Sequence, residues 1–191
     1  MFRTTAVLLA VAMLLVGAAT ASALDIGDKA PNFTAKGTDG KDYSLESASK
    51  GSDVVVVCFT CNRCPVAVGY EDRFIEFNKT YKDKKVTFIA VNCNNKTEAL
   101  EAMKKRAEEK GFNFVYAFDE TGKAAKDYGA RVTPELFVVK DGKIAYHGAY
   151  DDKLKKPEKE YLVNAVDALL AGKTPDVAKT KAFGCGIKVK K

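Results

Sequence analysis

The cysteines are the residues of this chain whose type and spacing could do chemistry. Five occur in 191 residues, and Cys58, Cys61 and Cys64 follow one another at intervals of three. They lie in and after the run Val54-Val55-Val56-Val57-Cys58-Phe59-Thr60, which continues Cys61-Asn62-Arg63-Cys64-Pro65. An unbroken apolar, β-branched run reads as a strand buried on both faces. Cys61 and Cys64 then fall where that strand hands over to a helix, and the free backbone N–H groups and helix dipole there favour an anion. A thiolate is such an anion, so a cysteine at this place is expected to have a depressed pKa and to be reactive. Cys64 supplies the second sulfur that dithiol–disulfide exchange needs, one thiol attacking and the other releasing the mixed disulfide.

Other readings of these sulfurs stay open. A static disulfide here would close too short a loop to restrict the unfolded chain much. Cys58, Cys61 and Cys64 form a string of soft ligands suited to Cu(I), which makes a copper-binding chaperone the rival class. A non-catalytic binding module is the third. Cys58, in mid-strand, reads as a small buried hydrophobe. Cys93 falls at the end of a second strand and is either inert or near the site. Cys185 lies in a Gly-flanked tail whose mobility could bring it to another sulfur, as a regulatory or resolving thiol or as a disulfide fixing the tail. An odd count leaves at least one sulfur free or bonded to another molecule. His147, the single histidine, stands among polar neighbours and is read as solvated.

The elements that must position these groups begin after a targeting segment. Met1 to Ala23 has the form of a secretory signal peptide: Arg3, an apolar stretch from Ala6 to Val16, then Ala21-Ser22-Ala23. An uncleaved anchor is the alternative, although the stretch is short for a membrane span. Export makes disulfides plausible. The expected divisions are 1–23 for the signal, 24–172 for one domain and 173–191 for a tail. The net charge of +6 is spread among interspersed Lys and Glu, which reads as solvated surface and not as a nucleic-acid or membrane-binding face.

Asn32 to Lys36 and Lys41 to Leu45 flank Thr38-Asp39-Gly40, a hairpin signal. The strand over 53–60 is followed by a helix from Pro65 to about Lys82, where Pro is tolerated in the first turn. Val86 to Asn92 is a strand. Thr97 is a fair N-cap for a helix ending at Lys110 before Gly111. A short strand over 112–117 and a helix over 123–128 follow. Glu135 to Lys140, Asp141-Gly142 and Lys143 to Ala149 make the clearest hairpin, and Pro157 to Ala171 a last amphipathic helix. This order predicts an α/β fold, a central sheet with helices on both faces. Chemistry in such sheets gathers at the carboxyl ends of the strands, where Cys61, Cys64 and Cys93 all fall.

With Cys-x-x-Cys after the first long strand and Thr133-Pro134 before the final hairpin, the sequence resembles the thioredoxin fold, a central mixed β-sheet flanked by helices. The opening Ile26-Gly27-Asp28-Lys29-Ala30-Pro31-Asn32-Phe33, followed by Asp39-Gly40-Lys41, is similar to that of peroxiredoxins and thiol–disulfide reductases and implies an N-terminal β-hairpin extension. Cys61-Asn62-Arg63-Cys64-Pro65, with Tyr70 to Phe74 and the tail Gly184 to Lys188, resembles exported peroxiredoxin-like redoxins with a Cys-Asn-x-Cys-Pro motif. The resemblance implies that Cys61 is the exposed, attacking thiol and Cys64 the resolving one. It also implies that Pro134 is a cis-proline beside the dithiol, and that Thr133 offers backbone groups to an extended substrate, with Arg131 nearby.

Three departures bear on activity. The buried acid of thioredoxins, six residues before the first cysteine, is Val55 here. Arg63 stands where this group often has His; a fixed cation there should stabilise thiolate and make the disulfide more oxidising than a general reductant. The peroxiredoxin pattern Pro-x-x-x-Thr-x-x-Cys fits neither register: counted from Cys64 its Pro and Thr fall on Val57 and Cys61, and from Cys61 on Val54 and Cys58. A thiol peroxidase is therefore the weaker activity. The expectation is a secreted or periplasmic thiol–disulfide oxidoreductase acting on protein or peptide substrates. Cys61, Cys64 and Arg63 form its catalytic set, and Thr133, Pro134 and Arg131 its groove. It needs no cofactor or metal; its electron donor or acceptor is another dithiol.

Overall fold

The computed structural model describes residues 24–190, and the signal peptide expected over 1–23 lies outside the described residues. The hairpin near the start is β1 (Thr34–Gly37) with β2 (Asp42–Ser44). The chain then turns into a helix that the sequence reading missed, α1 (Leu45–Ser49). Leu45 leaves the strand because Ser44 and Ser47 exchange side-chain-to-backbone hydrogen bonds in a capping box. Next come β3 (Val54–Phe59), α2 (Pro65–Tyr81) and β4 (Val86–Asn92). The third α/β unit is α3 (Leu100–Lys110) and β5 (Val115–Phe118). After α4 (Lys123–Tyr128) and the two-residue β6 (Val132–Thr133) come β7 (Glu135–Lys140) and β8 (Lys143–Gly148). Last are α5 (Tyr161–Leu170) and β9 (Cys185–Gly186).

Seven strands form one mixed sheet in the order β2-β1-β5-β4-β3-β7-β8. β3, β4 and β5 are parallel, as their helical crossovers require, and β7 runs antiparallel to β3. All six residues of β3 are buried. Alternation sends Val54, Val56 and Cys58 into a core with Phe74, Phe77, Phe88 and Leu162, and Val55, Val57 and Phe59 into a second core with Phe33, Tyr128 and Phe137. Helices α2, α3 and α5 cover the first face and α1 and α4 the second, the predicted two-sided arrangement. Asp141 and Gly142, both at positive φ, close the β7–β8 hairpin. Among the described residues no helix is long and apolar enough to cross a membrane.

Two helices start later than their sequence signals. Thr97 is not an N-cap: its hydroxyl donates to the Asn94 carbonyl (3.4 Å), and α3 begins at Leu100. The last helix begins at Tyr161 and not at Pro157, because the Asp152 carboxylate accepts the N–H groups of Glu158 (2.8 Å) and Lys159 (3.1 Å). Phe112 is not yet strand; its N–H donates to Ala107 O (3.0 Å) and closes the end of α3.

The tail is not the free segment its composition suggested. His147 N–H donates to Ala178 O and Thr180 N–H to His147 O, both at 3.0 Å, so the tail first runs beside β8. It then crosses to β6 and pairs with it antiparallel through β9, Val132 opposite Gly186 and Thr133 opposite Cys185.

Candidate active site

At the carboxyl end of β3, Cys61 to Cys64 form the turn into α2. Cys64 is the N-cap of that helix, and its sulfur accepts the Ala67 N–H at 3.5 Å. Pro65 occupies the first helical position, where no N–H is required. The turn rests on Glu98, whose carboxylate accepts the N–H groups of Asn62 (2.9 Å) and Arg63 (3.2 Å) and the Asn92 amide (2.8 Å). Tyr116 hydroxyl donates to Asn62 Oδ1 at 2.8 Å. An acid therefore lies under the dithiol after all, brought in from the loop after β4 and not from β3. Its signal was the polar cluster Asn92-Cys93-Asn94-Asn95 at a strand's carboxyl end, which sequence reasoning passed over.

The other wall is Thr133-Pro134, joined by a cis peptide bond. Cys61 Sγ lies 3.3 Å from the Thr133 hydroxyl, and the Cys64 thiol donates to Thr133 O at 3.1 Å. Glu135 fixes this wall: its carboxylate accepts the N–H groups of Arg131 (2.7 Å) and Val132 (3.1 Å) and pairs with His147 Nε2 (2.7 Å). Cys185 packs against Cys61, Cys64 and Ala67. Its N–H donates to Cys64 Sγ at 3.3 Å, and the Thr133 hydroxyl donates to its carbonyl at 3.4 Å.

These surroundings reverse the expected roles of the two sulfurs in ionisation. Cys61 is only 3% exposed, and its pKa is raised by burial and by the Glu98 carboxylate against the donors around it. For Cys64 burial also opposes ionisation, but the Cys185 thiol, the Ala67 N–H, Thr133 and the Cys185 N–H outweigh it and lower the pKa. The expectation of an exposed, thiolate-prone Cys61 is therefore corrected: the helix N-terminus acts on Cys64, and the tail covers both sulfurs. Arg63 is exposed, and its backbone N–H goes to Glu98. Cys185 is pushed up to about 11, first by its hydrogen bond with Cys64, then by burial and by the neighbouring sulfurs.

The sequence matches the Redoxin family over residues 25–165. The chain belongs to that family. A conserved protein of Geobacillus kaustophilus, itself uncharacterized, shares 34% identity over 87% of this chain and 93% of its own, with a TM-score of 0.81. A hypothetical protein of Sinorhizobium meliloti shares 28% over 88% and 97%, also at 0.81. A proposed thiol:disulfide interchange protein, DsbE, of Chlorobium tepidum shares 29% over 65% and 85%, at 0.58. A search of curated proteins gave no match. The fold is thioredoxin-like, as the sequence implied.

In this redoxin the remaining sulfurs stand apart from the site. Cys58 is fully buried on the α2 face of β3, where burial raises its pKa, and it cannot join Cys61 and Cys64 as a ligand. Cys93 lies in the opposite core, its thiol donating to Asp119 at 3.6 Å; burial, then the Asp119 charge, raises it. Among the described residues no group of three or more His, Cys, Asp and Glu side chains could hold a metal ion. His147 is not solvated: it is buried against Glu135, with its ring stacked on Phe137 at 4.1 Å between centroids. Arg131 reaches the groove through its backbone, its carbonyl accepting the Ile187 N–H at 2.9 Å.

Proposed function

We propose that this redoxin is an exported thiol–disulfide oxidoreductase. Its domain over 24–172 is released from a signal over 1–23, the tail is the segment 173–191, and residues 173–190 of that tail fold back on the domain. Cys61 and Cys64 alternate between dithiol and disulfide. Cys61 attacks a protein or peptide disulfide, one substrate sulfur leaves as thiolate, and Cys64 displaces the other from the mixed disulfide. The groove is the edge of β6, where Thr133, Pro134 and the backbone of Arg131 face an extended segment. Burial is the first cause of the raised Cys61 pKa, so attack requires the tail to swing away; the same movement withdraws the Cys185 donors from Cys64. The observation that carries the reading is the pair of sulfurs at one helix start, both within hydrogen-bond reach of Thr133. Family membership and the DsbE likeness support a thiol redox role.

Insulin reduction by dithiothreitol tests it. The wild type is expected to accelerate the reaction, Cys61→Ser to lose about tenfold or more of the rate, and Cys64→Ser to accumulate a mixed disulfide on Cys61. Undiminished activity in Cys61→Ser would contradict the assignment.

A further inference from the structure

The chain carries in its own tail what a substrate would have to bring: an extended segment with a cysteine, laid along β6. Strand addition to an exposed edge is a general mode of peptide recognition. Here residues 185–186 satisfy that edge from within the molecule. The fit is close. Gly184 has φ +150°, and a Cβ there would overlap the Thr133 carbonyl oxygen. Beyond Cys185 the segment stays anchored. Lys188 N–H donates to Asn94 Oδ1 (2.7 Å) and Lys190 N–H to Asn95 Oδ1 (2.6 Å). Phe183 packs on Tyr70, with ring centroids 6.2 Å apart. The half-buried sulfur is thereby held beside the dithiol, where Cys64 Sγ accepts the Cys185 N–H at 3.3 Å and Cys185 packs on the Cys61–Cys64 cluster.

We infer that Cys185 is a third redox-active thiol, which exchanges with the Cys61–Cys64 disulfide by attacking Cys64 and freeing Cys61. The inference rests on the dithiol reading above. In the step the Cys64–Cys185 S–S bond forms as the Cys61–Cys64 bond breaks. Cys185 releases its proton to solvent and the departing Cys61 sulfur takes one up, so no external oxidant or reductant is consumed. The chief cause of the raised Cys185 pKa is its hydrogen bond with Cys64. Once Cys64 is in a disulfide it carries no thiolate, and that restraint is gone. The exchange stores the oxidising equivalent in the tail and leaves Cys61 as a free thiol beside the occupied groove.

The test uses the full mature chain oxidised with glutathione disulfide, freed of glutathione, and sampled over time by acid quench, alkylation and peptide mapping. Trypsin cuts after Arg63 and releases Ala182 to Lys188, so the three sulfurs fall on separate peptides. The Cys61–Cys64 pair is expected first, with Cys64–Cys185 growing at its expense after the oxidant is gone. In Cys61→Ser the intramolecular disulfide should be Cys64–Cys185 alone. In Gly184→Ala, which lifts the tail without touching a sulfur, that pair should fall by about tenfold while Cys61–Cys64 persists. Cys185 recovered unpaired, or as its glutathione adduct, in both wild type and Cys61→Ser overturns the inference and leaves the dithiol reading standing. A Cys61–Cys185 pair also overturns it. No Cys61–Cys64 pair in Cys185→Ser takes down both.

Discussion

The Cys64 pKa is lowered against burial by groups of which only the Ala67 N–H comes from its own helix; the others belong to Cys185 and Thr133, far along the chain. Cys61, three residues earlier, sits on a turn whose N–H groups are already committed to Glu98. That carboxylate both builds the turn and opposes ionisation of Cys61. Glu98→Gln should therefore shift the pH–rate profile for alkylation of Cys61 to lower pH. It should also cost about 1–3 kcal/mol of stability, because an amide N–H₂ meets donors where an oxygen accepted them. An unshifted profile would show that the charge does not reach the sulfur. Arg63 illustrates what spacing alone cannot tell. Its position next to Cys64 suggested a cation over the thiolate, but the side chain on an exposed turn extends into water.

Among the elements, those specified by local pattern were legible. The β-branched run of β3, the Pro-initiated α2 and the Asp141-Gly142 hairpin each carry their signal within a few residues. The elements set by distant side chains were not: the start of α5 depends on Asp152, and β6 and β9 exist only because each supplies the other's hydrogen bonds. The wall carrying Thr133 depends in turn on Glu135. Its folded pKa is lowered: burial opposes this, but the His147 pair and the Arg131 and Val132 N–H groups outweigh it. A depressed carboxylate pKa contributes stability that is present above the unfolded value of 4.5 and is lost as pH falls through the folded one. Denaturant midpoints should accordingly drop below about pH 4.5, and Glu135→Gln should flatten that drop. An equally steep acid limb in the variant would place the effect elsewhere. The tail behaves as an element too. Gly184→Ala places a side chain where only glycine fits, at a cost of about 1–3 kcal/mol to the closed arrangement. Alkylation of Cys61 at neutral pH should then quicken by about tenfold or more. An unchanged rate would mean that the tail does not control access.

Across the molecule, the tail ties three places together where a glycine leaves room: Thr180 over Gly148 at the end of β8, Gly184 over Thr133, and the Val189 side chain over Gly122 at the start of α4. The layered α/β frame and the placing of Cys61 and Cys64 between β3 and α2 were readable because hydrophobic periodicity and a short motif are local properties. The covering of that site was not, since it depends on residues 120 or so positions away meeting the dithiol. A stabilised Cys64 thiolate favours the reduced form and so makes the disulfide the more oxidising partner. The decisive measurement is a redox titration of the mature protein carrying Cys185→Ser, so that Cys64 has only Cys61 as its partner, against glutathione with disulfides mapped at each potential. A Cys61–Cys64 pair forming in a two-electron transition, with a midpoint above the thioredoxin value of about −270 mV, is the predicted result. No Cys61–Cys64 pair at any potential, or a midpoint at or below that value, would contradict it.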